Sequence, residues 1–525
     1  DLATDAPPPH WLVEDYYNPD PAAPDKIYAK RGAFLQPSDF NPLEFAIPPA
    51  NLSSTDTAQL LALLVAKQVL EDAAGGQFAA MDRSRMSVVL GVASATELVT
   101  QLSARMQRPV WAHALRQHGF DAAQVEAICD RISSQYVPWT ENSFPGMLGN
   151  VVAGRIANRF DLAGTNCVVD AACASSLAAL HLALMELESG QSDLVITGGV
   201  DALNDVLMYT CFSKTPALSP TGDCRPFSAG ADGTILGEGI GMLALKRLAD
   251  AERDADRIYA VVRGLGTSSD GLSKSIYAPV AEGQAKALRR AYAVAGYGPD
   301  TVELLEAHGT GTRAGDLAEF QGMSRVFGDA DGARKRWCAL GSVKSQIGHT
   351  KAAAGSAGLF KAVMALHHKV LPPTIKVDQP NPALNLADSA FYLNTAARPW
   401  IRGADHPRRA SVSSFGFGGS NFHVALEEYT GPAPRRPRLP THQHELLLMS
   451  ADSAAELIER CRGLDLSRDV LAFTAYQSLQ DWKAGPYRLA LVVTTDTAAT
   501  TMAQALALIE RTPQQPFAMP GGTVQ

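Results

Sequence analysis

The chain has 525 residues, 46% hydrophobic and 19% charged, with a formal net charge of −8. That is enough apolar chain for one large core or two smaller ones, which excludes intrinsic disorder, and the acidic balance argues against nucleic-acid or anionic-membrane binding, which draws on a basic excess. No run of about eighteen apolar residues marks a membrane span, the N-terminus DLATDAPPP lacks the pattern of a signal peptide, and seven scattered cysteines without CxxC spacing fit a reducing compartment, so a cytoplasmic protein is expected.

From about Met86 to Glu428, short β-rich runs (Ser87–Leu90, Cys167–Val169, Leu194–Thr197, Tyr259–Val262, Val302–Leu305 and Ala410–Ser413) alternate with helical patterns. Such alternation predicts an α/β fold with buried sheets. TGPAPRRPRLP, residues 430–440, is rich in proline and arginine, has no periodicity and reads as an extended linker. Beyond it, strand patterns at Leu446–Met449 and Arg488–Thr494 and helix patterns at Ala454–Cys461, Val470–Leu479 and Ala498–Ile509 predict a small α/β unit.

Four segments carry chemistry. In Val168-Val169-Asp170-Ala171-Ala172-Cys173-Ala174-Ser175-Ser176, an apolar strand gives way to a helix over Ala174–Leu187. Cys173 then stands at a helix N-terminus, where free N–H groups and the positive dipole end favour a thiolate. A lone cysteine is more often a small core residue, but alanine and serine neighbours leave room for a substrate. In Glu306-Ala307-His308-Gly309-Thr310-Gly311-Thr312, followed by Gly315-Asp316 and Glu319, His308 falls on a glycine-rich loop at a strand's C-terminal end, a common ligand position in open α/β sheets. In Gly341-Ser342-Val343-Lys344-Ser345-Gln346-Ile347-Gly348-His349, His349 directly precedes an Ala-rich helix over Thr350–His367, whose dipole opposes an imidazolium. Either histidine alone reads as readily as a satisfied structural residue. Last, Ser413-Ser414-Phe415-Gly416-Phe417-Gly418-Gly419-Ser420-Asn421 runs a strand into a glycine turn, which is either a plain hairpin or a source of backbone N–H groups for a ligand.

Together the four segments resemble the active-site motifs of the β-ketoacyl synthases, and the likeness covers most of residues 1–428. The resemblance implies the thiolase fold: two duplicated βαβαβαββ halves in αβαβα layers. A linker over residues 429–444 and a small α/β ketosynthase-to-acyltransferase linker domain over 445–525 would follow. By the same resemblance Cys173 is the nucleophile, and His308 and His349 bind the carbonyl of the extender thioester. Lys344 and Glu319 form a supporting ion pair, and the N–H groups of Cys173 and Phe417 form the oxyanion hole. Thr310, Thr312, Phe415, Gly418 and Gly419 contact substrate or its phosphopantetheine arm. The implied reaction is decarboxylative Claisen condensation of a Cys-bound acyl chain with malonyl-acyl carrier protein. Alternatives within the fold are another type I polyketide ketosynthase or a non-condensing decarboxylase or docking module. Implied partners are an acyl carrier protein, a second copy pairing through Asn166–Asp170, and neighbouring acyltransferase and other megasynthase domains. No metal, permanently bound cofactor, nucleic acid or membrane is expected.

The stretches WLVEDYYNPDPAAPDKIYAKRGAF, ENSFPGMLGNVVAGRIANRF, FSKTPALSPTGDCRPFSAGADGTILGEGIGMLALKRLADAERD and GTSSDGLSKSIYAP look closest to the first synthase domain of polyunsaturated-fatty-acid synthases and related glycolipid synthases. Against the family pattern, Gln346 replaces an Asn, Phe422 a small residue and Ser228 an Asp, and the usual opening apolar strand is absent from this sequence. Pocket size depends on scattered residues, with Met147 a candidate.

Overall fold

The computed structural model describes residues 1–93, 96–272, 275–276, 278–328, 334–402, 406–431, 443–468 and 470–519. The chain divides into two compact units, Asp1–Ala433 and Pro434–Gln525.

The first unit is built on two sheets of matching design. The first contains β1 (Met86–Val92), β2 (Asn166–Val169), β3 (Leu194–Asp201) and β4 (Gly239–Leu245), in the order β2-β1-β3-β4. Its first three strands are parallel, and β4 runs antiparallel to β3. The second contains β5 (Val261–Ser269), β6 (Leu304–Glu306), β7 (Cys338–Gly341), β8 (Phe391–Leu393), β9 (Arg409–Gly416) and β10 (Ser420–Glu427), in the order β8-β7-β6-β9-β10-β5. Here β7, β6 and β9 are parallel and β10 turns back antiparallel on β9, repeating the β2-β1-β3-β4 plan. This is the duplication the resemblance implies. Burial explains the apolar runs: every residue of β1, MSVVLGV, is buried, as a parallel strand covered on both faces requires.

Helices complete the layers. α1 (Thr57–Ala73) and α2 (Val151–Phe160) pack outside the first sheet. α3 (Ser175–Glu188) lies on β1 and β3, α4 (Ala281–Ala295) and α5 (Arg313–Phe327) cover the outer face of the second sheet, and α6 (Ala354–His368) lies on β9. α3 and α6 meet in the middle layer, where the Ser356 N–H donates to Ser176 Oγ at 2.9 Å. Each is packed between two sheets, so small and apolar residues surround them on every side. A Cβ on Gly355 would come within 2.7 Å of Leu177 Cγ, so only glycine permits this approach.

Some boundaries move from their sequence positions. β5 starts at Val261, where it pairs with Glu427, because Tyr259 turns its hydroxyl to the Asp72 carboxylate instead. β6 starts at Leu304, after a 3₁₀ turn over Pro299–Thr301. α3 and α6 are each preceded by a 3₁₀ turn, Ala172–Ala174 and Lys351–Ala353, so both α-helices begin later than their patterns suggest. The 430–440 linker lies almost wholly outside the described residues.

The second unit is a two-stranded antiparallel sheet, β11 (Glu445–Ala451) with β12 (Tyr487–Val493), and three helices: α7 (Ala454–Arg462), α8 (Leu471–Gln480) and α9 (Ala498–Arg511). Its own core gathers Leu447, Leu489, Leu491, Leu457, Leu471 and Met502. Among the described residues no helix is long and apolar enough to cross a membrane.

Candidate active site

The two halves of the first unit bring their strand ends to one place. β2 delivers Cys173 through a tight turn in which Ala172 takes a left-handed φ of 49°. Non-glycine residues are strained there, and two bonds hold the turn: the Ala171 N–H donates to Ser175 Oγ at 2.9 Å, and Ser175 Oγ donates to the Ala172 carbonyl at 2.6 Å. From the other half, Ser414 Oγ donates to the Cys173 carbonyl at 2.7 Å. Gly416, at the end of β9, packs so closely that a Cβ there would stand 2.2 Å from the Ala171 carbonyl oxygen. That approach lets the next residue, Phe417, aim its backbone N–H at the Cys173 sulfur.

The ionisation of Cys173 corrects the sequence reading. Burial pushes its pKa up to about 11, while the Lys344 charge and the Phe417 N–H pull it down only in part. The free enzyme therefore holds a thiol, because desolvation of the anion outweighs the favourable helix end.

His308 follows β6. Its backbone N–H and that of Gly309 each donate to the Glu319 carboxylate at 2.7 Å. Its ring Nδ1 accepts from the Phe415 N–H at 3.4 Å, which leaves Nε2 as the protonated nitrogen. His349 follows β7 through the short helix Lys344–Ile347. Its Nδ1 accepts from the Lys351 N–H at 3.1 Å, so this ring too presents Nε2–H. The rings meet edge to face, with centroids 5.4 Å apart. Burial holds both pKa values well below the ordinary histidine value, helped by the positive Lys344 beside each. His349 is neutral as predicted, but through burial and lysine charges more than a helix dipole, since α6 begins only at Ala354. His423 shows the structural alternative: also buried, it has both ring nitrogens engaged, by Ser413 Oγ and Tyr292 Oη.

The expected Lys344–Glu319 ion pair does not form. Both Glu319 oxygens are taken by the His308 loop, and Lys344 feels Glu306 and Glu319 as nearby charges without a direct contact. Burial pushes Glu319 up to about 7. Its neighbour Asp316 rises likewise to about 7 and accepts from the Gly311 and Phe227 N–H groups at 3.1 and 2.7 Å, shaping the same glycine loop.

The remaining expected residues divide. Phe415 is buried and orients His308. Gly418 and Gly419 form the β9–β10 turn with φ of +94° and +79°, which a side chain would strain. Thr310 and Thr312 join their hydroxyls at 2.9 Å on the loop beyond His308. Gln346 donates to the Pro373 carbonyl at 3.1 Å and Ser228 to that of Gln379 at 3.3 Å, so neither departure from the family pattern removes a reacting group. A cavity of about 150 Å³ opens beside Cys173 and Phe417, and Met147 is not in its lining.

Several contributors escaped the sequence reading. Glu306 accepts from the Val343 N–H at 2.5 Å and pairs with Lys361 at 2.7 Å, bracing the His349 segment. Lys351 pairs with Asp201 at 2.8 Å in the cavity wall. The available signal was a charged residue inside an otherwise apolar strand or helix start, since burying a charge demands a partner.

A cysteine at a strand-to-helix turn of one half, met by the Phe417 N–H of the other half, which also carries two adjoining Nε2–H histidines, defines an acyl-transferring enzyme of the thiolase fold. Three family models match the chain in succession: beta-ketoacyl synthase N-terminal domain over residues 1–251, its C-terminal domain over 259–378, and the ketoacyl-synthetase C-terminal extension over 380–492. The oxazolomycin ketosynthase domain OzmH KS7 of Streptomyces albus superposes with a TM-score of 0.73 at 32% identity, over 97% of this chain and 83% of that one. The ketosynthase from module 6 of the bacillaene synthase of Bacillus subtilis 168 gives 0.69 at 30%, over 100% and 81%. One polypeptide of the polyunsaturated fatty acid synthase of a Thraustochytrium species is 42% identical over 467 residues, 88% of this chain but only 16% of that protein. This chain belongs to the β-ketoacyl synthase family.

Proposed function

We propose that the chain is the ketosynthase of a polyunsaturated-fatty-acid synthase or a closely related polyketide or glycolipid megasynthase, condensing a Cys173-bound acyl chain with a malonyl group on an acyl carrier protein. The observation that carries the reading is the pair of neutral histidines, each with Nδ1 tied to a backbone N–H and Nε2–H free to donate. The subfamily reading is supported by the identity of 42% over 467 residues to the polyunsaturated fatty acid synthase polypeptide.

In the first half-reaction the Cys173 sulfur attacks the acyl thioester carried on phosphopantetheine. The oxyanion is held by the N–H groups of Cys173 and Phe417, and the departing phosphopantetheine thiol takes the proton that Cys173 gives up. In the second, the malonyl thioester loses carbon dioxide and its electron pair moves into an enolate, whose oxygen receives hydrogen bonds from His308 and His349. Neutral donors suit this step, for they stabilise charge as it forms without binding the anionic ground state equally well. The enolate carbon attacks the acyl-Cys173 carbonyl, and collapse expels the sulfur as a thiolate, which takes one proton from solvent to restore the thiol. The product is a β-ketoacyl thioester on the carrier.

Among the described residues β2 has no outer strand neighbour, and that edge supports a homodimer formed by pairing with a second copy. Thr310 and Thr312 are proposed to contact the pantetheine arm, residues 1–428 to form the condensing domain, and residues 445–525 to be the linker toward an acyltransferase. The test is intact-protein mass spectrometry with acyl carriers: the chain should gain one acyl mass, and Cys173→Ala should gain none and condense nothing. Condensation by folded Cys173→Ala would overturn the assignment.

A further inference from the structure

The N–H that meets His349 Nδ1 comes from a residue in an unusual backbone conformation. Lys351 opens the 3₁₀ turn Lys351–Ala353 with a left-handed φ of 47°. A side chain is strained in that region, and such strain persists only where the surroundings over-determine it. Here they do. The Lys351 ammonium pairs with Asp201 Oδ1 at 2.8 Å and donates to Asn204 Oδ1 at 2.6 Å and to the Gly237 carbonyl at 3.0 Å. The whole residue is buried, and three acceptors meet the three protons of the ammonium.

The acceptors are themselves fixed. Asp201 ends β3, and its second oxygen accepts from the Ala352 N–H at 3.2 Å. Asn204, fully buried, donates its backbone N–H to Glu238 Oε1 at 2.7 Å and its Nδ2 to the Ala33 carbonyl at 3.4 Å, which turns Oδ1 toward Lys351. Gly237 donates its N–H to the His349 carbonyl at 2.9 Å, so the same residue grips His349 and Lys351. The turn also lies hard against β3: a Cβ on Gly199 would stand 2.7 Å from the Ala352 carbonyl oxygen. A neutral imidazole can carry its proton on either nitrogen, and an N–H aimed at Nδ1 selects the form that donates from Nε2.

We propose that Lys351 is a positioning residue for decarboxylation: its side chain, tied to Asp201, Asn204 and Gly237, holds the strained turn whose N–H keeps His349 in the Nε2–H form. The proposal rests on the ketosynthase reading and extends it to a residue that acts through His349. Glycine adopts a left-handed φ without strain, so it needs no anchor to keep the N–H in place, whereas alanine keeps the strain and loses the anchor.

The test therefore compares Lys351→Ala with Lys351→Gly in the full chain. Both lose the same ammonium, so effects of its charge cancel between them. Carbon dioxide release from malonyl carrier should fall about ten-fold in kcat for Lys351→Ala and stay within about three-fold of the unaltered protein for Lys351→Gly, while the two acylate Cys173 at equal rates. Equal decarboxylation by the two variants overturns the proposal, as does a loss of acylation that matches the loss of decarboxylation, the mark of a merely structural role. Should the unpaired Asp201 prevent folding, the same comparison is made with Asp201→Asn in both chains, which removes the buried charge along with its partner. A second measurement leaves Lys351 unaltered: the ¹⁵N spectrum of histidine-labelled protein, with the His349 signals assigned by their loss in His349→Ala, should show a bare Nδ1 and a protonated Nε2. A protonated Nδ1 on the neutral ring overturns the proposal too. Absence of decarboxylation in the unaltered protein would fall on the ketosynthase reading instead.

Discussion

The two sheets of the first unit share a strand plan but differ at their edges. In the first sheet, β2 is half exposed at one edge and β4 is half buried at the other, and among the described residues neither has an outer strand neighbour. In the second, the counterpart of β2 is β7, fully buried under β8, and the counterpart of β4 is β10, covered by β5. The closed half thus holds the hydrogen-bond donors on a rigid frame. The open half carries the nucleophile next to an edge still able to pair with another chain. A strand-to-helix turn can aim only one or two groups, so a reaction with two charge-developing steps draws on both copies of the duplicated plan.

The sharpest way to break this comparison is to strip the closed half of its donors. His308→Ala or His349→Ala should leave Cys173 acylation largely intact while malonyl decarboxylation falls by about two to three orders of magnitude, the scale of one lost oxyanion donor. Paired measurements of acyl mass and carbon dioxide release separate the steps. Equal collapse of both in a folded His349→Ala protein would mean that the donor half also activates the thiol.

A smaller effect is expected where the halves touch. Gly416→Ala would force a methyl against the Ala171 carbonyl and lift the Phe417 N–H away from the sulfur. Acylation should slow by about ten-fold, with a stability loss of about 1–3 kcal/mol from overpacking. Unchanged acylation kinetics, read by stopped-flow loading alongside a denaturant melt, would show that Phe417 is not the oxyanion donor.

The subtlest test contrasts the charge states of the two halves. With the Cys173 pKa raised to about 11, the thiolate fraction keeps growing through alkaline pH, so iodoacetamide alkylation should still accelerate between about pH 9 and 10, where an ordinary cysteine has levelled off. The histidines, with pKa values held far below their usual one, should add no inflection to the decarboxylation rate between about pH 6 and 8. A plateau in alkylation near pH 8 would restore a thiolate poised by the helix end.

Much of this was legible along the chain. Short β-rich apolar runs such as SVVL and LVIT marked strands of buried sheets, and four segments in order pointed to Cys173, His308 and His349 before any contact was known. Local pattern carries such features because strand burial and turn chemistry depend on neighbours in sequence. Tertiary structure alone decided the rest. Glu319 serves the His308 loop and not Lys344, and Lys351 finds its partner in the distant Asp201. Burial reverses the expected ionisation of Cys173 in the same way. Desolvation and the pairing of buried charges are sums over everything that packs around a group, and those neighbours are set by how the two halves close on each other, not by their order along the chain.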